Sequence, residues 1–240
     1  RRIMGYLPEG APLYGDMTPL TFLRFIADTR NILKHEQAAA IGSVVDTLQL
    51  GSVLQQPIDT LSKGYRRRLG LAQAIIHNPK VLILDEPTDG LDPNQKHELR
   101  ELISAMSADR IILISSHILE EVEAVCSRAI IIAQGRILID STPQALVKMS
   151  RWHNAVTLRF PPNTLSDQEL KARAAIIAGI ANVERAESNT AEQGITAFPK
   201  HDAAIIHDIN QLAAALKWQP EECRVETGKL DDVFRTITIQ

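Results

Sequence analysis

A wholly apolar run at residues 81–84 constrains the fold of this sequence more than any other feature. Runs of this length and composition are typical of strands covered on both faces, as in a parallel sheet. Residues 111–115 form a second predicted buried strand, and the helical pattern of residues 93–106 lies between the two. Because strand and helix alternate along the chain, the sequence predicts an α/β layer architecture.

The composition is that of an ordinary globular protein. Hydrophobic residues make up 45% of the 240 positions and charged residues 23%, which excludes wholesale disorder and a fibrous repeat. The net charge of −3 gives no long-range attraction to nucleic acid or anionic lipid, so we expect no nucleic-acid partner. No apolar stretch approaches the ~20 residues that span a bilayer. We expect Cys126 and Cys223 to be buried, reduced thiols in the cytoplasm.

The pattern of elements changes after residue 149. Before it, the other predicted elements are strands at 3–7, 129–133 and 136–139, a helical stretch over 19–48, and helices at 65–77 and 118–126. After it, the order is strand 156–160, helix 166–178, strands 183–187 and 195–198, helix 202–216 and strand 223–226. This β-α-β-β-α-β order predicts a small α+β domain of the ferredoxin-like type. We therefore expect one domain over residues 1–149 and a second over residues 150–240.

Two adjacent carboxylates, Asp85 and Glu86, directly follow the first apolar run. The carboxyl end of a strand is the edge at which α/β sheets bind ligands. Because neighbouring residues on an extended chain point to opposite sides, the two acids cannot share one task. One can hold Mg²⁺ through oxygen while the other orients or deprotonates an attacking water. The alternative is that both acids only cap the turn that follows.

Two further polar segments suit the binding of a phosphate group. Ser62 is a good N-cap for the helix that follows, and Gly64 leaves backbone N–H groups of the first turn accessible. His117 follows the second apolar run and could reach the same edge as the acids. Each segment also has a structural interpretation, because most such helix starts are only caps and most single histidines are structural.

Four motifs, in this order along the chain, resemble those of the ABC-type ATPases. They are LSKGY (61–65) for the signature, VLILDEPT (81–88) for Walker B, DGLDP (89–93) for the D-loop and ISSH (114–117) for the switch histidine. The resemblance covers about residues 1–149, and MGYLPEGAPLY (4–14) is similar to the Q-loop region. The LSKGY variant, the small C-terminal domain and LDDVF (230–234) are most similar to the ATPases of ABC-2 type exporters.

The resemblance implies a role for each matching residue. Asp85 would bind Mg²⁺, Glu86 would orient the attacking water, and His117 would contact the γ-phosphate. Ser62 and Gly64 would contact the ATP of the opposite subunit, and Asp92 would act across the dimer interface. Glu9 would occupy the Q-loop position. It also implies ATP and Mg²⁺ as cofactors, a second ATPase subunit in a head-to-tail dimer, and a transmembrane permease subunit. The chain would then lie in the cytoplasm, on the inner face of the cell membrane, held there by its permease.

Three departures from the family pattern affect these expectations. Lys63 and Tyr65 replace the Gly and Gln of the usual LSGGQ signature, although the Ser and second Gly that carry the phosphate contacts remain. Glu9 replaces the usual Gln and adds a negative charge near the phosphates. No GxxxxGK[ST] motif occurs, so the loop that cradles the β- and γ-phosphates is missing. We therefore interpret the chain as a fragment, a truncated ABC-type P-loop ATPase domain that is inactive alone.

Two alternative functions remain open at this point. One is a non-transport ABC protein that acts on DNA or ribosomes, which the acidic balance and the compact C-terminal unit disfavour. The other is a P-loop-less protein that uses the ABC surface only to dimerise or to regulate a partner. A phosphate-binding loop encoded upstream of these residues would distinguish the ATPase from the second alternative.

Basic and aromatic residues outside the motifs are expected to be structural. Arg66, Arg67 and Arg68 spread around a helix and cannot form one basic face, so a solvated helix start is the expected interpretation. We expect Trp152 and Trp218 to be packing anchors of the C-terminal unit.

Overall fold

A computed structural model describes residues 3–238 of the chain. The chain divides into two compact units, Arg1–Glu121 and Val122–Gln240. Each unit contains β-sheet structure of its own. The domain boundary after residue 149 stays a prediction.

Strands and helices alternate through most of the described chain, in the mixed α/β arrangement that the sequence predicts. The strands are β1 (Met4–Leu7), β2 (Val81–Asp85), β3 (Ile111–Ser115), β4 (Ala129–Ala133), β5 (Arg136–Ser141), β6 (Val156–Arg159), β7 (Val183–Asn189), β8 (Gly194–Pro199) and β9 (Glu222–Val225). The helices are α1 (Pro19–Thr29), α2 (Lys34–Thr47), α3 (Lys63–Ile75), α4 (Pro93–Met106), α5 (Leu119–Val125), α6 (Pro143–Val147), α7 (Asp167–Ala178), α8 (Ile206–Ala215) and α9 (Leu230–Thr238).

The first unit contains a three-stranded parallel sheet in the order β1-β2-β3. Val81 pairs with Met4 on one side and with Ile111 on the other, and at the opposite end of the strands Asp85 pairs with Ser115. The predicted strands and their parallel direction are confirmed. Because all three strands run the same way, their carboxyl ends meet at one edge, and the residues that follow β2 and β3 lie side by side there.

Only one face of this sheet is well covered. Leu7 of β1 and Leu82 and Leu84 of β2 are fully buried. On the opposite face, Ile111 and Leu113 of β3 are 64% and 53% exposed. The prediction that β3 is a buried strand is therefore wrong, because β3 is an outer strand of the sheet and the described residues leave this face open to solvent.

Left-handed backbone conformations shorten two of the predicted helices. The stretch predicted over 19–48 is two helices, α1 and α2, because Asn31 between them has a φ of 57°. Helix α8 begins at Ile206, later than predicted, because His201 and Asp202 have φ values of 48° and 62°. An α-helix needs a φ near −60°, so it cannot run through these residues.

The second unit begins with a hairpin of β4 and β5. Ala133 pairs with Arg136, so the connection consists of the two residues Gln134 and Gly135. Their φ values are 51° and 73°. Two central residues with positive φ give the turn whose twist matches that of the flanking strands, and Gly is the residue that takes this conformation at least cost.

The rest of the second unit is a four-stranded antiparallel sheet in the order β7-β8-β6-β9, with α7 and α8 between its strands in sequence. Residues from these helices and strands form its apolar core, including Leu158, Leu170, Ile177, Ile195 and Ile209. Trp152 meets Phe198 edge to face at a centroid distance of 5.4 Å, and Trp218 meets Phe160 at 6.4 Å. Both tryptophans therefore pack within this unit, as predicted.

Candidate functional site

Asp85 ends β2, at the carboxyl edge of the parallel sheet. Its carboxylate accepts hydrogen bonds from the hydroxyl of Ser115 and from that of Tyr6, the latter at 3.4 Å. Residues 3–238 contain no group of three or more His, Cys, Asp or Glu side chains that could hold a metal. Mg²⁺, however, is commonly held by one or two carboxylates together with phosphate oxygens and water. The lone carboxylate of Asp85 fits that kind of shared site.

Glu86 follows β2 in a left-handed conformation, with a φ of 44°. Its N–H donates to the carbonyl of Ser115 at 3.0 Å, and its own carbonyl accepts from the N–H of Asp89 at 3.1 Å. Its carboxylate lies 2.9 Å from both the backbone nitrogen and the ring Nδ1 of His117. The hydroxyl of Ser116 donates to the second carboxylate oxygen at 3.5 Å. The carboxylates of Glu86 and Asp85 therefore have separate partners.

His117 is the exposed member of this pair. Its side chain is 69% exposed, whereas that of Glu86 is 18% exposed. The hydrogen bond to Glu86 raises the pKa of His117, and the negative charge of the same carboxylate raises it further. Protonation of the imidazole would make its hydrogen bond with Glu86 charge-assisted. The structure thus brings these two predicted site residues into direct contact.

Ser62 and Gly64 lie at the first turn of α3. Ser62 is the N-cap, and its hydroxyl accepts from the N–H of Tyr65 at 3.3 Å. Gly64 is buried, and a Cβ at this position would lie 2.7 Å from the side-chain oxygen of Gln95. A larger residue at this position would therefore require the side chain of Gln95 to move. The predicted cap is confirmed, and the phosphate contact stays a prediction.

Asp92 caps the next helix of the unit. Its carboxylate accepts from the N–H of Gln95 at 3.0 Å at the start of α4. Just before it, Gly90 has a φ of 65°, and a Cβ there would lie 1.5 Å from the Nζ of Lys63. The ammonium group of Lys63 also pairs with Asp89 at 3.4 Å. The signature-like and D-loop-like segments of one chain therefore contact each other through Lys63, a residue that departs from the family pattern.

Glu9 lies in the loop after β1. It lines a cavity of about 930 Å³. The other lining residues come from its own loop, from the segment before α3 and from charged residues near the helix start: Gly10, Ala11, Pro12, Leu13, Ile58, Asp59, Leu61, Lys63, Arg66, Arg67 and Asp89. The structure therefore places Glu9 beside the start of α3, and neither Asp85 nor His117 lines this cavity.

Arg67 is a buried residue that the sequence reasoning missed. It is 5% exposed, so the expectation of a solvated arginine run is wrong at this position. Its guanidinium donates to backbone carbonyls both in the loop of Glu9 and around Glu86. The arginine run itself carries no signal for this, because the acceptors are far away in sequence and lie beside only one of the three side chains.

A second missed feature is a buried polar network next to the acids. Thr88 is 1% exposed and Glu121 is 7% exposed. The hydroxyl of Thr88 donates to one carboxylate oxygen of Glu121, and the ammonium group of Lys96 lies 3.2 Å from the other. The turn after the acids is thereby tied to α4 and to α5, the helix that follows His117.

No helix within residues 3–238 has both the length and the apolar character needed to cross a membrane.

Comparison with known proteins agrees with this geometry. Residues 1–89 match the family model for ABC transporter. The matched stretch contains Glu9, Ser62, Gly64, Asp85 and Glu86. The stretch that contains these residues is therefore similar to part of an ABC transporter ATP-binding domain.

Several relatives share longer stretches. The ABC transporter ATP-binding protein YxlF of Bacillus subtilis is 35% identical over 158 residues, 66% of this chain and 53% of the relative. The Nod factor export ATP-binding protein I of Burkholderia thailandensis is 35% identical over 171 residues, 71% of this chain and 56% of the relative. The human phospholipid-transporting ATPase ABCA7 is 29% identical over 233 residues, 96% of this chain and 11% of the relative. The chain thus spans about half the length of the two bacterial relatives.

Proposed function

We propose that this chain is part of an ATP-hydrolysing subunit that energises an ABC-2 type membrane exporter. The observation that carries the proposal is the direct contact between Glu86 and His117 at the edge of a parallel sheet, with Asp85 beside them. Two carboxylates and an imidazole at one edge can supply part of the positioning and charge stabilisation on which catalysis of phosphoryl transfer mostly depends.

In this proposal each site residue has one task. Asp85 helps to hold Mg²⁺, which would supply neutralisation of phosphate charge. Glu86 orients the attacking water, and His117 contacts the γ-phosphate. Ser62, Gly64 and Asp92 act toward the nucleotide of a second, head-to-tail ATPase subunit. The N-terminal turn of α3 supports that assignment, because its backbone N–H groups form an anion-binding end.

The exporter type and the partners rest on sequence likeness. The LSKGY signature and the LDDVF segment support the ABC-2 type, as does the likeness to a Nod factor export ATP-binding protein. A transmembrane permease subunit would hold the chain at the cytoplasmic face of the cell membrane. We also propose that residues 150–240 are a ferredoxin-like accessory domain, which the strand order β7-β8-β6-β9 supports.

A working site needs a phosphate-binding loop that these 240 residues do not contain. We therefore expect the 240-residue chain by itself neither to bind ATP tightly nor to hydrolyse it. Titration with labelled ATP and Mg²⁺ measures this directly. Saturable micromolar binding with turnover would show that the phosphates are held by residues other than those assigned.

The role of Glu86 is tested in the full-length product of the gene. Glu86→Gln keeps the side-chain shape and removes the carboxylate, so turnover should fall by ~10² to 10⁴ while ATP still binds. Glu101→Gln is the matched control, because Glu101 is exposed on α4 and, within residues 3–238, its carboxylate pairs with His97 alone. Hydrolysis by Glu86→Gln at the wild-type rate would remove Glu86 from the mechanism.

The assignment of Ser62 to a partner's nucleotide has its own test. In the full-length protein, Ser62→Arg should bind ATP normally as a monomer and fail to dimerise on ATP or to turn it over. Mixing it with a partner whose phosphate-binding loop is inactivated should restore one composite site. Loss of monomeric ATP binding by a folded Ser62→Arg variant would mean that the residue acts within its own subunit.

The absence of a GxxxxGK[ST] motif favours one second candidate, a regulatory or dimerisation protein without ATPase activity. In that case the full-length gene product would bind a partner subunit and show no ATP turnover. Its hydrolysis rate, measured with and without Glu86→Gln, separates the two candidates.

A further inference from the structure

Arg67 uses all of its side-chain hydrogen-bond donors on backbone carbonyls. The Nε donates to Pro87 at 2.8 Å, one terminal nitrogen donates to Pro8 at 3.1 Å and to Glu9, and the other donates to Asp85 at 2.8 Å and to Glu86. A guanidinium has five N–H groups in a fixed planar arrangement. The five acceptors belong to two separate loops, one after β1 and one that continues from Asp85, the last residue of β2.

This arrangement accounts for a buried positive charge. Burial lowers the pKa of Arg67, while the charges of Asp89, Asp85 and Glu9 act in the opposite direction. A guanidinium stays protonated in proteins, so the carbonyl dipoles and the nearby acids must compensate its desolvation. If either loop moved away from the guanidinium, some of its N–H donors would be buried without acceptors.

Both loops contain a backbone conformation that L-residues rarely adopt. Glu86 has a φ of 44°, and Ala11 has a φ of 41°. Such conformations persist where the surrounding structure holds them. Arg67 bonds the carbonyl of Glu86 and those of both its neighbours, and it also bonds two carbonyls just before Ala11.

The helix that carries Arg67 is itself fixed against the first loop. A Cβ at Gly70 would lie 2.8 Å from the side chain of Leu7 and 2.9 Å from the Cβ of Ala11. Such close approach leaves α3 no room to shift toward the loop after β1. The guanidinium therefore has a fixed place between the two loops.

From this geometry we infer that Arg67 is a positioning residue that couples the loop of Glu9 to the carboxylate of Glu86. Displacement of the Glu9 loop would take carbonyl acceptors away from the guanidinium, which then no longer holds the backbone of residues 85–87. The direction of the Glu86 side chain is set by that backbone. The role of Arg67 in turnover rests on the proposed function, and its role in joining the two loops does not.

The coupling is tested first without nucleotide, on the 240-residue chain. Arg67→Gln removes the charge and most donors, so the amides of Ala11 and Asp89, which close the two loops, should exchange with solvent about tenfold faster or more. Arg68→Gln is the matched control on the same helix, because Arg68 bonds Leu48, Gln49 and Glu98 and neither loop. Faster exchange in only one loop, or equal effects of both variants, would overturn the inference.

Arg67→Lys provides a second variant in case Arg67→Gln does not fold. A lysine keeps the charge but has three donors at one atom, so it cannot bridge all five carbonyls. We expect it to accelerate exchange of both amides as well, by less than Arg67→Gln. Protection of both amides equal to wild type in a folded Arg67→Lys chain would also overturn the inference.

In the full-length protein, kcat and the KM for ATP separate the coupling role from a general loss of stability. Arg67→Gln should lower kcat on the order of 10- to 100-fold with the KM for ATP within about threefold, because the carboxylate is misplaced and the nucleotide contacts remain. Unchanged kcat in an active enzyme would overturn the coupling role. An inactive wild-type protein would instead refute the proposed function and leave the exchange result to decide on Arg67.

Discussion

The Thr88→Val substitution isolates the energetic contribution of the buried network at the turn after the acids. Valine and threonine have the same shape, so the replacement preserves packing at a position that is 1% exposed. It removes the hydroxyl that donates to Glu121 and leaves one carboxylate oxygen of Glu121 without that donor. The ion pair between Lys96 and the other oxygen, at 3.2 Å, stays in place.

The expected loss follows from the charge of the acceptor. A hydrogen bond to a charged group contributes about 1.5 to 3 kcal/mol, and a buried group that loses its donor costs a similar amount. Because Lys96 still neutralises Glu121 in part, we expect the free energy of unfolding to fall by about 2 kcal/mol. With a slope near 2 kcal/mol per molar urea, the unfolding midpoint should shift by about 1 M.

Urea unfolding of the 240-residue chain, followed by far-ultraviolet circular dichroism, measures this shift. Thr29→Val is the matched control, because Thr29 is exposed on α1 and its hydroxyl donates to the carbonyl of Phe25 within its own helix. Surface changes of this kind usually alter stability by less than about 0.5 kcal/mol. Equal midpoints for the two valine variants would refute the claim that the Thr88 hydroxyl stabilises Glu121.

Three further predictions concern other parts of the first unit. Gly5→Ala should destabilise the chain by about 2 kcal/mol, because the new Cβ would lie 2.2 Å from a backbone oxygen of α3. Gly42→Ala is the comparison: a Cβ there has nothing within 4 Å, so the variant should stabilise α2 by about 0.5 to 1 kcal/mol. Thermal unfolding of both variants measures the difference. Burial lowers the pKa of His77, so the unfolded chain takes up a proton more readily than the folded chain. The free energy of unfolding should therefore fall as the pH drops below about 6.5. His77→Gln should reduce that loss, which urea unfolding at pH 7 and pH 5 measures. Because a hydrogen bond to Glu86 raises the pKa of His117, Glu86→Gln should lower that pKa toward its ordinary value in an NMR titration, and an unchanged value would contradict the contact.

Local pattern was enough to predict most of the secondary structure. Helix α4 has the bounds that its periodicity predicts, because Asp92 caps it and Pro93 occupies its first turn. The turns around Asn31 and His201 could not be predicted in the same way. Their left-handed conformations depend on the packing of the segments on each side, and neither residue type requires that conformation.

The part of the candidate site that lies directly after the parallel strands could be predicted from the sequence. Glu86 and His117 follow neighbouring parallel strands, so their contact is a consequence of sheet topology. The burial of Arg67 is of a different kind. It depends on carbonyl acceptors 58 and 59 positions earlier and 18 to 20 positions later in the chain. The local sequence pattern around Arg67 does not indicate acceptors that are so distant.

The contact between Glu86 and His117 also restricts how the proposed site can work. An ionised carboxylate only accepts hydrogen bonds, so the ring Nδ1 at 2.9 Å must carry the hydrogen. The same contact holds the ring with its Nε2 on the far side, where a donor could reach a phosphate. One carboxylate oxygen of Glu86 accepts from both nitrogens of His117, and the other accepts only from the hydroxyl of Ser116 among the described residues. Because each carboxylate oxygen has two lone pairs, the second oxygen keeps one acceptor position. A water that Glu86 orients can therefore bind at this second oxygen, beside the hydroxyl of Ser116 at 3.5 Å, while the contact with His117 stays in place.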